Sequence, residues 1–219
     1  MIKKIIKYFI GEKNGIQLKI NANRCVRFLV SQRFFTQQDT VMQVFSDSKL
    51  QVFFGYYDIS PFNRDESKLL ATKVPLSFSS PGVDTTMQIG YYSLDDPISK
   101  FQKIATTKTW CWQQGCRLQW HPNSAGEQIL YNSLENSKYV CYLQDIVSKE
   151  LIKRYERPLY SVTQDGRWGL SLDFSRLQRL RPGYGYSNVL DRTIENPSPE
   201  DDGIWKVNME TGESQLLIS

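Results

Sequence analysis

Short runs of alternating apolar and polar residues, each closed by Gly, Pro, Asn, Asp or Ser, recur from about residue 53 to the end of the chain. That period of two predicts β-strands, and helical periodicity is weak throughout. The clearest copy is centred on Thr109–Pro122, where an aromatic and amide-rich run enters the turn Pro122-Asn123-Ser124-Ala125-Gly126. A β-rich run, Gln128–Asn132, follows it. The same order of features recurs at Gly55–Ala71 and at Leu159–Ser171, where Asp165-Gly166 is the strongest tight-turn signal in the chain. Three copies predict a repeat protein.

The middle copy reads as four strands, Gly115–Trp120, Gln128–Asn132, Tyr139–Gln144 and Lys149–Tyr155. Four short strands in about 40 residues is the spacing of a propeller blade. The first copy reads as an inner strand ending near Ile59, then Lys68–Val74, an inserted loop over Pro75–Thr86, Met87–Leu94 and Phe101–Ala105. The third reads as Leu159–Val162, Leu170–Phe174, a long irregular insertion over Arg176–Asp202, Gly203–Asn208 and Ser214–Ile218. The expected fold is all-β, a partial, open β-propeller of about three to four four-stranded antiparallel blades over residues 51–219. Blade boundaries are expected at about 53–107, 110–155 and 158–219. Residues 1–50, with short strands expected at Val26–Val30 and Val41–Phe45, are either a lead-in packed on the propeller edge or a degenerate blade. Three blades fall short of the usual closed ring of about four to eight. A fragment of a longer product is favoured over an arc closed by a second copy or capped by residues 1–50, and open edges allow self-association.

Composition narrows the class. With 219 residues, 40% hydrophobic and 13% aromatic, the chain can build a packed core. Its formal charge of +4 is spread along the chain and gives no case for nucleic acid. Lys3-Lys4-Ile5-Ile6 resembles the start of a signal peptide, but Lys7 and then Gly11-Glu12-Lys13 interrupt the apolar run. No segment approaches the roughly 18 apolar residues of a membrane span, so a cytoplasmic protein is expected. Cys25, Cys111, Cys116 and Cys141 form no C-x-x-C pair and are expected as free thiols in the core.

Three units carry a family resemblance: Ile59-Ser60-Pro61 through Leu70, Trp120-His121-Pro122 through Leu130, and Val162-Thr163-Gln164-Asp165-Gly166 through Leu170. They resemble the TolB-like propeller repeat, whose core reads aromatic-Ser-Pro-Asp-Gly-basic-x-apolar. Within that class, Gly55–Pro61, Trp110–Gly115 and Arg181–Tyr186 resemble an uncharacterised bacterial propeller group loosely related to oligogalacturonate-lyase-like propellers, some of whose members are labelled glycosyltransferases. The resemblance implies a blade geometry and leaves the activity open.

The first strand of each blade lines a propeller's channel, which singles out Tyr56, Tyr57 and Asp58, then Trp112, Gln113 and Gln114, and Tyr160. Aromatic faces stack on sugar rings, and amides and a carboxylate serve hydroxyl groups. The alternative is that the aromatics pack between blades and the amides satisfy backbone groups. The third-blade insertion adds Asp173, Arg176, Arg181, Tyr184 and Tyr186, within a polar cluster that also holds Arg179, Asp191, Arg192 and Glu200. Arginine forks there fit the carboxylate or phosphate of an acidic saccharide. Asp201-Asp202 reads as a solvated turn in preference to a metal site, and no metal or other cofactor is expected. Catalysis lacks its usual tools. The sole histidine, His121, sits in a turn, and there is no Gly-x-Ser-x-Gly elbow, phosphate loop or dinucleotide fingerprint. A carbohydrate-binding or polysaccharide-metabolism propeller is therefore expected. A non-catalytic protein scaffold and a lyase-like or glycosyltransferase-associated enzyme are the alternatives, and no catalytic residue is assigned.

Overall fold

A computed structural model describes residues 43–75, 81, 83–96 and 98–219. The strands expected at Val26–Val30 and at the start of Val41–Phe45, and Cys25, lie outside the described residues. The chain divides into a unit over 1–44 and a unit over 45–219, and the second carries everything that follows.

Three four-stranded antiparallel sheets make up this unit, fanned as an open, partial propeller. The first blade is β1 (Leu50–Phe53), β2 (Lys68–Pro75), β3 (Met87–Ser93) and β4 (Gln102–Thr107). The second is β5 (Gln119–Trp120), β6 (Gln128–Glu135), β7 (Lys138–Asp145) and β8 (Leu151–Tyr155). The third is β9 (Ser161–Val162), β10 (Trp168–Ser171), β11 (Ile204–Asn208) and β12 (Ser214–Ile218). Within each blade, successive strands are neighbours.

The second blade is buried on both faces, and its alternation shows how. On β6, Ile129 and Tyr131 turn to the first blade, where they join Leu70, Val74, Met87 and Ile89. Leu130 turns the other way and packs with Leu159, Val207 and Met209 of the third blade. Strands covered on both sides read as near-continuous apolar runs, and β6 does so from Ile129 to Tyr131. Asn132, fully buried, ties the second and third blades together: its amide donates to the Leu159 carbonyl at 2.9 Å and accepts from the Leu159 N–H at 2.8 Å. Cys111, Cys116 and Cys141 are buried free thiols, and burial pushes Cys111 up to about 11 and Cys116 up to about 12.

Two elements differ from the sequence reading. The innermost strand of the first blade is β1, earlier than expected, pairing with the far end of β2 through Phe53 and Thr72. The chain then leaves the sheet and returns only at the Phe62–Leu69 bridge, so Gly55–Ser60 is a loop and not a strand. The insertion opens with a helix, α1 (Phe174–Leu180), capped by Asp173, whose carboxylate accepts from the N–H groups of Ser175 and Arg176. At two turns, it is too short to show a helical period.

A partly buried ion pair packs against an aromatic ring of the first blade. Lys73 Nζ meets Asp47 Oδ2 at 2.8 Å and also lies 4.6 Å from the centre of the Phe101 ring. The Lys73 hydrogen bond, helped by the Lys49 N–H, holds the Asp47 carboxyl at about 2, below its ordinary 3.8. Burial pushes the Lys73 amine down, but the bond to Asp47 and its neighbours outweighs burial and leaves it raised. A depressed folded-state carboxyl adds stability that is complete above its unfolded value and disappears as pH falls through its folded value. Wild-type urea midpoints should therefore fall between about pH 4 and pH 2, and Asp47→Asn should flatten that part of the curve. Identical slopes for the two proteins would remove Asp47 from the acid response.

Candidate functional site

The inner ends of the three blades converge on one side chain that sequence reasoning missed. Arg117 follows the loop closed by the Cys111–Gly115 bridge, where the Gly115 N–H donates to the Cys111 carbonyl at 2.9 Å. Gly115 itself has φ of +57°, and a Cβ there would press on the Phe54 carbonyl at 3.1 Å, so the loops of the first and second blades pass close only because glycine stands here. Arg117 has φ of +55°, a left-handed conformation in which a non-glycine residue is uncommon. Its side chain is 1% exposed.

The guanidinium spends its donors on all three blades. Nη1 and Nη2 fork onto the Asp58 carboxylate at 3.1 and 3.0 Å. Nη1 also donates to the Gln114 side-chain oxygen at 3.2 Å, and Nε donates to the Tyr160 carbonyl at 2.8 Å. The Tyr160 ring lies under the guanidinium, 4.0 Å from its carbon to the ring centre. Asp58 belongs to the first blade, Gln114 and Arg117 to the second, and Tyr160 leads into the third. A planar fork is the side chain that can hold so many acceptors at once.

Around this hub lies an aromatic rim. Tyr57 is 86% exposed, and its ring sits 4.2 Å from that of Tyr56. Tyr56 also meets the edge of Tyr184 at 6.0 Å, which brings the third-blade insertion onto the first-blade loop. Hydrogen bonding from Tyr57 and then from Tyr184 raises the Tyr56 phenol well above its ordinary value, so it stays protonated at neutral pH. The Arg181 guanidinium stacks 3.8 Å over Tyr184 and has no ion-pair partner among the described residues. Gln113 is exposed beside the insertion, its Cγ 4.0 Å from where a Cβ on Gly183 would stand.

Of the residues singled out from sequence, Tyr56, Tyr57, Asp58, Gln113, Gln114, Tyr160, Arg181 and Tyr184 are thus brought together. Trp112 is half-buried and packs on Phe53 and Trp110, at 5.6 and 5.0 Å between rings. Tyr186 is fully buried, stacked 4.4 Å from Phe174, with its hydroxyl bonded to Asn132 at 3.0 Å. Asp173 caps α1, and Arg176, in its first turn, donates to the Pro197 carbonyl at 3.2 Å. His121 occupies its turn, where its Nδ1 accepts from the Asn123 N–H at 3.3 Å and burial lowers its pKa. Among the described residues no group of three or more His, Cys, Asp or Glu side chains is placed to hold a metal ion. No helix among them is long and apolar enough to cross a membrane.

No family model and no curated protein matches the chain. Its structural neighbours include TolB. The TolB structure, from Acinetobacter baumannii, is 17% identical over 65% of this chain, with a TM-score of 0.33. An uncharacterized protein from Listeria monocytogenes EGD-e is 12% identical over 81% of the chain, with a TM-score of 0.43. An oligogalacturonate lyase from Vibrio parahaemolyticus is 12% identical over 79%, with a TM-score of 0.34. The matched region spans 31%, 43% and 55% of those three solved chains respectively. What the site can hold follows from its own residues.

Proposed function

We propose that the converging end of the blades binds a saccharide, with preference for an acidic one, and that Tyr57 and Arg181 make the principal contacts. The observation that carries this reading is the exposure of Tyr57. A large ring left open to solvent, held against a second tyrosine and beside a third, is a ready platform for the face of a sugar. Arg181, fixed flat on Tyr184 and lacking a carboxylate, supplies the matching charge for a uronate carboxyl. The exposed third of the Asp58 side chain and the amide of Gln113 offer an acceptor and a donor for sugar hydroxyls.

Calorimetric titration with an acidic oligouronate and a neutral oligosaccharide of equal length tests this. Tyr57→Ala should weaken both ligands about tenfold or more, whereas Arg181→Gln should weaken only the acidic one. Because both side chains are exposed, stability should stay within about 0.5 kcal/mol of wild type. If the wild-type protein binds neither oligosaccharide, the reading fails.

A further inference from the structure

The chain leaves α1 through a turn that decides how Arg181 meets the rim. Arg181 is the C-terminal cap of the helix, its N–H donating to the Leu177 carbonyl at 2.7 Å. Pro182 follows, then Gly183 at φ of +92°, and the Tyr184 N–H donates back to the Arg181 carbonyl at 3.2 Å. Proline at the second position, a left-handed glycine at the third and a bond from the fourth N–H to the first carbonyl make this a type II turn. Such a turn brings its first and last residues within about 7 Å of each other. Here those residues are the guanidinium and the ring that stack at 3.8 Å.

A type II turn differs from a type I turn by a flip of its central peptide, here the one between Pro182 and Gly183. The Gly183 N–H belongs to that peptide, and it donates to the Gln178 side-chain oxygen at 2.9 Å. Gln178 lies on α1 and is half-buried, so the helix reaches forward to hold the turn that ends it. Proline and glycine favour this orientation of the peptide, and Gln178 keeps it there.

We propose that Gln178 is a positioning residue for the rim, which sets the preference for an acidic saccharide by holding the turn that presents Arg181. The inference rests on the saccharide-binding role of the rim. An exposed arginine has much rotamer freedom to lose when it grips a carboxylate, and a guanidinium already stacked has less left to lose. Loosening the turn gives that freedom back. The cost falls on the carboxylate contact, because the exposed Tyr57 ring is held by Tyr56 within the first-blade loop and not by the turn.

Cellotetraose and its C6-oxidised tetraglucuronate, equal in length and different only in their carboxylates, give the acidic-to-neutral affinity ratio by calorimetry. Gln178→Met keeps the length and removes the acceptor, and should lower that ratio about fivefold with cellotetraose affinity within about twofold of wild type. Gly183→Ala should do the same by a separate route. A Cβ on Gly183 would meet Gln113 Cγ at 4.0 Å, an ordinary contact, so this substitution acts through the positive φ and not through a clash. Amide exchange supplies a readout that needs no ligand: the Gly183 N–H should be protected in wild type and faster in Gln178→Met. The Tyr186 N–H, bonded to the Phe174 carbonyl at 3.1 Å, should stay protected in both. Equal loss of both saccharides in Gln178→Met would make Gln178 a merely structural residue and overturn the proposal, and fast Gly183 exchange in wild type would do so too. A wild-type protein that prefers the tetraglucuronate, with Gln178→Met preferring it as strongly, overturns this inference alone. A wild-type protein that binds neither saccharide overturns the rim reading and this inference with it.

Discussion

Asp58→Ala should destabilise the protein more than Arg117→Met, by about 3 kcal/mol against about 2 kcal/mol, although Asp58 is the less buried partner. The order follows from what each substitution leaves behind. Removing Asp58 strands a guanidinium whose side chain is 1% exposed, with only the Gln114 oxygen and the Tyr160 carbonyl to receive its donors. Breaking a buried pair costs about 3–5 kcal/mol in general, and the lower end applies because water can follow through the opening that Asp58 vacates. Removing the arginine instead leaves a carboxylate one third exposed, which water rehydrates, and methionine refills most of the apolar volume. Urea unfolding of both variants, with slopes compared to confirm two-state behaviour, measures the difference. A reversed order would mean that the guanidinium is hydrated in solution and that the three blades are not joined through it.

The propeller was legible because blade strands obey local rules. Turn residues such as Asp165-Gly166 and alternating runs such as Tyr139–Gln144 need no knowledge of distant neighbours. The hub was not legible in the same way. Arg117 stands between Cys116 and Leu118 in an apolar stretch, and its carboxylate partner is 59 residues away, so no local pattern announces the pair. Tyr56-Tyr57 read as strand because aromatic residues favour strands, yet β2 pairs with β1 and with Phe62 on either side of them and leaves them in a loop. Asp202 failed for the reverse reason. Two adjacent aspartates look solvated in isolation, and only the arginines brought over by α1 and the insertion make one of them a buried charge. Misreadings thus fall where long-range partners override local preference.

The insertion's grip on the blades can be broken at one atom. Gly185 is buried, and a Cβ placed on it would fall inside van der Waals contact of the Phe174 carbonyl oxygen and the Gln178 backbone nitrogen. Both obstacles are main-chain atoms of α1, so no side-chain rotation relieves the clash. Gly185→Ala must therefore lift the segment off the helix, and the residues on either side carry the consequences. Tyr186 would lose its stacking on Phe174 and its bond to Asn132, the amide that joins the second and third blades. Tyr184 would move from the edge of Tyr56, taking Arg181 with it. Overpacking of this kind costs about 1–3 kcal/mol, and the lost buried hydrogen bond adds about 1 kcal/mol more. The expected result is a lower melting temperature, faster amide exchange over residues 174–189 and loss of saccharide binding at the rim. Ser187→Ala, at an exposed position two residues on, should change none of these. A Gly185→Ala protein as stable as wild type would show that the insertion rests on the blades loosely, and the rim formed by Tyr56, Tyr57 and Tyr184 would then have no fixed geometry to offer a ligand.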